Sequence, residues 1–92
     1  MTERKSFDIS VRKLEVLDRD HWACQMCGSP ATQLAHRIPQ TRANIRKYGE
    51  RVIHHPLNLM SVCGLRCNAA AIVHGADERA LVCQILDLID SE

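Results

Sequence analysis

The sequence predicts a small α+β domain, and three observations carry that prediction. Helical periodicity is strongest at the two ends of the chain, short extended pieces broken by proline and glycine fill the centre, and four of the five cysteines stand in two close pairs that bracket this centre. A length of 92 residues fits one domain, spanning 1–92, and no more.

The elements follow in order. Ser10 is placed as the N-cap of a helix over about residues 11–20, with Val11, Leu14 and Leu17 on its apolar side. A turn through Cys24, Cys27 and Gly28 closes at Ser29-Pro30. Residues 33–38 alternate so that Leu34, His36 and Ile38 share one side of a short strand, which Pro39 stops. Thr41 to Tyr48 reads as a short basic helix or an ordered loop ending at Gly49, and Arg51 to His55 as a weak extended piece cut by Pro56. From Cys67 a helix-compatible run of alanines stops at His74-Gly75, where glycine is expected in the left-handed position. A last helix over about 77–90 carries Leu81, Val82, Ile85, Leu88 and Ile89 at helical spacing.

Only Phe7, Trp22 and Tyr48 are aromatic, so the rings that usually fill a small core are nearly absent. Such a chain normally needs a staple. Cys24-x2-Cys27, 35 intervening residues and Cys63-x3-Cys67 supply four soft ligands from two knuckles, as a tetrahedral structural zinc requires. Gly28 lets the backbone turn tightly around the first pair, and Gly64 can absorb the extra residue of the second. Cys83, among Leu81, Val82 and Ile85, is expected to pack in the core.

Formal charge is +1 overall, but it is unevenly spread. Residues 34–66 hold Arg37, Arg42, Arg46, Lys47, Arg51 and Arg66 against Glu50, net +5, whereas residues 67–92 are net −4. A basic centre without an amphipathic apolar partner face fits phosphate contact better than a membrane surface, and it equally fits a solvated face. No apolar run opens the chain or reaches the length of a membrane span, so a cytoplasmic protein is expected, where paired cysteines bind metal more often than they form bridges.

The ordered set Arg19-Asp20-His21-Trp22-Ala23-Cys24-Gln25-Met26-Cys27-Gly28, Ala35-His36-Arg37-Ile38-Pro39, Asn58-Leu59 and Cys63 to Cys67-Asn68 resembles the zinc-containing HNH endonuclease family. The match covers about residues 19–74. It implies a zinc-clamped ββα-metal core with flanking N- and C-terminal helices. It also implies that His36 is the general base, with a pKa near neutrality, that activates water against a phosphodiester. Asn58 would hold the strands and that histidine in place, although a plain turn residue after Pro56 is an equal reading. One Mg2+-type cation would sit on the scissile phosphate.

The chain departs from the pattern at the cation. Position 35, where the family carries an acidic residue or histidine, is Ala35, and the position after the last cysteine is the neutral Asn68. Asn68 and His74 are left as weak candidate ligands, with His74 about 120° around the helix from Asn68. Restoring a carboxylate at position 35 is expected to rebuild the cation site. His54 and His55 supply an alternative ligand near His36 or stand in a solvated polar loop.

Three functions remain open. The first is a zinc-stabilised nucleic-acid-binding domain, probing DNA through Arg37, Arg42, Arg46, Lys47 and Arg51, with a degenerate nuclease site and compatible with a phage or mobile-element origin. The second is an active metal-dependent nuclease that nicks DNA, and the third a protein-interaction zinc module that forms a homodimer through the C-terminal helix.

Overall fold

The structure, a computed structural model, describes residues 9–91, with side chains from residue 12 onward; Val11, assigned above to the apolar side of the first helix, lies outside the described side chains. The order is α1 (Ile9–Arg19), β1 (Gln33–His36), α2 (Arg42–Tyr48), α3 (Glu50–Ile53), one 3-10 turn (Pro56–Asn58), β2 (Leu59–Val62), α4 (Leu65–Ala70) and α5 (Gly75–Asp90). This is a small α+β arrangement. Among the described residues no helix is long and apolar enough to cross a membrane.

β1 and β2 pair antiparallel in the register Gln33 with Val62, Leu34 with Ser61, Ala35 with Met60 and His36 with Leu59. α1 lies against both strands, with Val16 and Leu17 facing inward and Asp20 buried just past its end. Leu14, expected on that side, is 56% exposed. With Val16, Leu17 and Asp20 inward, the buried stripe is centred about 110° around the helix from Leu14. Ser10 lies inside this helix rather than at its cap.

The C-terminus of α1 closes without glycine. Trp22 N–H donates to Leu17 C=O at 2.8 Å and His21 N–H to Asp18 C=O at 3.1 Å, the paired bonds of a Schellman cap. This places His21 at φ 58° and Trp22 at φ 56°, both in the left-handed region.

α2 starts as its sequence suggests, with the Thr41 hydroxyl accepting from Asn44 N–H at 3.1 Å. The piece from Arg51 onward, expected to be extended, is instead helical. Gly49 at φ 90° breaks the chain and redirects it into α3, whose Val52 and Ile53 are buried. β-branched residues favour strands only weakly, and here tertiary burial decides.

α4 starts two residues before Cys67 and ends at Ala70, shorter than its alanine run implied. The reason is visible downstream: Val73 N–H donates to Arg37 C=O at 2.9 Å, which pulls residues 72–74 out of the helix. Gly75 does take a left-handed φ of 57°, but at the start of α5 rather than at the end of α4.

Besides Val16, Leu17 and Leu59, which are buried between α1 and the strands, the described core contains two clusters. Ile38, Val52, Ile53, Leu81, Val82 and Ile85 form an aliphatic cluster that joins α3 and α5, each large side chain contributing about 1.5–3 kcal/mol when fully buried. Tyr48 adds a hydrogen bond from its hydroxyl to the Glu78 carboxylate, tying α2 to α5. The second cluster is Cys24, Ala31, Ala35, Val62 and Ala71. It is made largely of alanine and cysteine, so it removes little apolar area from water. Cys83, expected in the core, is exposed. It lies about 200° around α5 from both Leu81 and Ile85, which face inward. Leu88 is likewise partly exposed, together with Leu86.

Candidate metal centre and adjoining cleft

The first knuckle is a miniature hairpin. Ala23 bridges to Pro30, Cys24 N–H donates to Ser29 C=O at 2.7 Å, and Gly28 N–H returns to Cys24 C=O at 2.8 Å. Gly28 sits at φ 84°, where a side chain would be strained. Gln25 N–H donates to Ser61 C=O at 2.9 Å and so ties this knuckle to β2. The second knuckle leaves β2 at Cys63, passes through an extended Gly64 and presents Cys67 from the first turn of α4. That helical turn accommodates the extra residue of the second pair.

The four sulfur atoms all lie within 4.8 Å of one another. Cys27 Sγ is 3.5 Å from Cys63 Sγ, and Cys63 Sγ is 3.7 Å from Cys67 Sγ. A Zn–S bond of about 2.3 Å gives a tetrahedron edge of about 3.8 Å, so these spacings suit a metal ion such as zinc. Burial opposes ionisation of Cys24, but hydrogen bonds from the backbone of Met26, Cys27 and Cys63 outweigh it and hold its pKa near about 6. Hydrogen bonds from Ser29 lower that of Cys27. The sulfur of Cys27 raises the pKa of Cys63, and those of Cys24 and Cys63 push Cys67 up to about 12. Four thiols packed this tightly resist joint ionisation, and a cation at their centre removes that resistance. An all-sulfur donor set selects a soft or borderline metal over Mg2+.

No family model, curated protein or solved structure matches the chain.

Arg19 and Asp20 fasten the knuckles to the rest of the fold. Arg19 donates to both Asp20 carboxylate oxygens at 2.8 and 3.0 Å and to the carbonyls of Pro56 and Leu59, each at 2.9 Å. Asp20 in turn accepts from Ser61 N–H at 2.9 Å. Burial pushes the Asp20 pKa up, yet its bonds to Arg19 and Ser61 leave it below the usual carboxylate value. Sequence reasoning noted the pair without giving it this bracing role, because its partners lie some 40 residues away.

Asn58 is fully buried and is not a surface turn residue. Its side-chain oxygen accepts from Ile38 N–H at 2.8 Å, and its amide donates to Ile38 C=O at 3.1 Å and Ile53 C=O at 2.7 Å. The Asn58 carbonyl also accepts from Arg37 N–H at 2.8 Å. Asn58 thereby fixes the chain immediately after His36.

His36 ends β1 half-buried, with Nε2 3.2 Å from Nδ1 of His54. The two rings meet edge to face at 75°, their centroids 5.3 Å apart. Burial, and then the charge of His54, lower the His36 pKa to about 4. His36 is therefore neutral at physiological pH but a weaker base than the near-neutral value its motif implied. His55 Nδ1 accepts from Leu57 N–H at 3.2 Å and caps the 3-10 turn.

His36 and Asn68 line one cleft of about 420 Å³. Lys13 from α1, Gln33 and Leu34 from β1, Pro39 and Gln40 beyond it, and Ile72 complete the walls. None of these residues carries a carboxylate. His74 is absent from this lining and stands exposed at the entry to α5, because α4 ends before reaching it. The helical angle drawn between Asn68 and His74 therefore does not apply. Ala35 is also directed elsewhere: it is 0% exposed and packs with Cys24, Ala31, Val62 and Ala71. Alternation along β1 sends it to the face opposite His36, so a carboxylate there would enter the core instead of the cleft.

The basic residues divide. Arg42, Arg46 and Lys47 are exposed on α2, a helix with no buried residue, and Arg51 is exposed on α3. Arg42 and Arg46 are one turn apart on α2. Arg37 is half-buried in a separate cleft of about 290 Å³ with Arg19, Asp20 and Gln25, where its Nε is buried without a hydrogen-bond partner.

Proposed function

We propose that this chain is a zinc-stabilised nucleic-acid-binding module of the HNH type whose nuclease site has decayed. The observation that carries the reading is a joint one. A cysteine cluster clasps the antiparallel β1–β2 pair to the helix that follows it, and His36 at the end of β1 faces a cleft shared with Asn68 on that helix. Cys24, Cys27, Cys63 and Cys67 would hold one zinc, which supplies the cross-link that the small alanine-rich cluster lacks.

Decay of the nuclease site is supported by the cleft chemistry. A hard cation needs oxygen ligands, usually with a carboxylate among them, and the described residues around His36 offer side-chain oxygens only from the amides of Gln33, Gln40 and Asn68. Binding without cleavage would use above all the exposed cations of α2, a helix with no buried residue, together with the exposed Arg51 of α3.

The test is duplex binding by fluorescence anisotropy across a salt series, with plasmid nicking measured in Mg2+, Mn2+ and Ni2+ beside it. Each phosphate neutralised adds about −0.9 to the log–log salt slope, so the triple variant Arg42→Ala, Arg46→Ala, Lys47→Ala should bind more weakly with a flatter slope. No nicking is expected. Failure to bind duplex or single strands at low salt would remove the nucleic-acid reading. Metal-dependent nicking that disappears in His36→Ala would replace it with an active enzyme.

A further inference from the structure

His36 comes from the end of a strand and His54 from the turn after α3, 18 residues later, yet two of their ring nitrogens face each other. Their separation of 3.2 Å is a hydrogen-bond distance, and it is also the spacing of two ligands on one metal. With Zn–N bonds of about 2.0–2.1 Å, neighbouring nitrogens lie about 3.3–3.4 Å apart in a tetrahedron and about 3.0 Å apart in an octahedron. A metal about 2.05 Å from both nitrogens would subtend an angle of about 100° between them, within that same range.

The surroundings hold the pair in place. His36 is fixed from one side by pairing of β1 with β2 and from the other by Asn58, which bonds Ile38 on both its N–H and its C=O. His54 follows Ile53, whose side chain is buried in the aliphatic core and whose carbonyl accepts from the same Asn58 amide. One buried amide thus sets the positions of both rings. The cleft beside His36 adds neutral oxygen donors and open space for water but no carboxylate, which disfavours Mg2+ and Ca2+ and suits a metal that prefers imidazole.

We infer that His36 and His54 form a second metal site, separate from the four cysteines, that takes a borderline transition-metal ion such as Zn2+ through His36 Nε2 and His54 Nδ1 with water in the remaining positions. No net proton is lost: each neutral ring keeps one N–H, and the proton now between the facing nitrogens moves, by exchange with water, to the far nitrogen of its own ring, so that His36 carries it on Nδ1 and His54 on Nε2. The inference rests on the histidine pair alone and does not require that the chain bind nucleic acid.

Zn2+ is the probe. The full chain, loaded with one zinc per molecule, is dialysed at near-neutral pH against rising free Zn2+, and bound metal is counted. Wild type should take up a second zinc. His54→Gln and His36→Gln should each weaken that second uptake at least tenfold, while His74→Ala leaves it intact. In ring-¹⁵N spectra, Nε2 of His36 and Nδ1 of His54 should shift together as the second zinc binds, and Mg2+ should move neither. Circular dichroism and retention of the first zinc verify folding; should His36→Gln fail to fold, His54→Gln and the wild-type spectra decide the matter. A second zinc retained by His54→Gln, or lost in His74→Ala, would overturn the site, as would no second uptake at millimolar Zn2+.

Discussion

Replacing Asn58 by alanine probes the joint on which both β1 and α3 depend. The substitution deletes three side-chain hydrogen bonds, to Ile38 N–H, Ile38 C=O and Ile53 C=O, at a position with no exposure. A buried polar group left without its partner costs about 1–3 kcal/mol. Three such losses, partly relieved by water entering the space of the missing amide, come to about 3–5 kcal/mol. A domain of this size is stable by about 5–14 kcal/mol, so the change removes a large share. Urea unfolding of the metal-loaded protein reads it directly. With a slope of about 1.5 kcal/mol per molar, the midpoint should fall by about 2–3 M. Asn44→Ala is the comparison: its amide makes one half-buried bond to Pro39 C=O at 2.9 Å, and its loss should cost only about 1 kcal/mol. A midpoint shift for Asn58→Ala no larger than that of Asn44→Ala would refute the bracing role, because it would mean the three bonds are not held in the folded state. Asn58→Asp sharpens the test. Its carboxylate still accepts from Ile38 N–H but opposes two carbonyls, so at neutral pH it should destabilise at least as much, with partial recovery in acid as the protonated form donates again.

Three further outcomes follow from the same geometry. Ala35→Asp should destabilise by several kcal/mol in urea without conferring nicking, since it buries a carboxylate among Cys24, Ala31, Val62 and Ala71; unchanged stability would show that position 35 reaches solvent. His21→Gly should stabilise by about 1 kcal/mol and raise Tm by about 4–8 °C, because glycine takes the left-handed φ of 58° without strain; a drop in Tm would show that the His21 side chain contributes more than its backbone costs. Without added metal, stability should decline as pH falls from about 6.5 to about 4, because the unfolded chain binds a proton that folded His36 resists, and level off below that for this group; His36→Gln should remove that part of the profile, and an unchanged profile would locate the effect elsewhere.

The helices at the two ends and the cysteine pairing are legible in the sequence because each rests on a local signal: helical spacing of Leu81, Val82 and Ile85, and knuckle spacing with Gly28. Where the local signal was weak, distant contacts decided. Val52 and Ile53 read as a strand fragment but turn helical because Gly49 redirects them toward Ile38 and Ile85. α4 loses its last turn to a bond between Val73 and Arg37 that no window around residue 70 contains. The same holds for the site. His36 and the four cysteines could be named from spacing and resemblance, and His54 near His36 stands as one of two open readings, whereas Lys13 in the cleft and the bracing by Arg19 and Asp20 depend on partners far along the chain.

The division of the core into an aliphatic part and an alanine-cysteine part bears on how the molecule opens. Amide protons in α5 around Leu81–Ile85 and in α3 are held by large side chains, whereas those of the first knuckle and of β2 near Val62 depend on groups too small to resist water alone. The two clusters are cooperative units of unequal strength, and the chain passes from Ala35 in one to Ile38 in the other just beyond the end of β1. Hydrogen exchange should therefore resolve two opening free energies rather than one. The lower belongs to the knuckle side and moves with metal concentration, and the higher stays with the helices that close the C-terminal half.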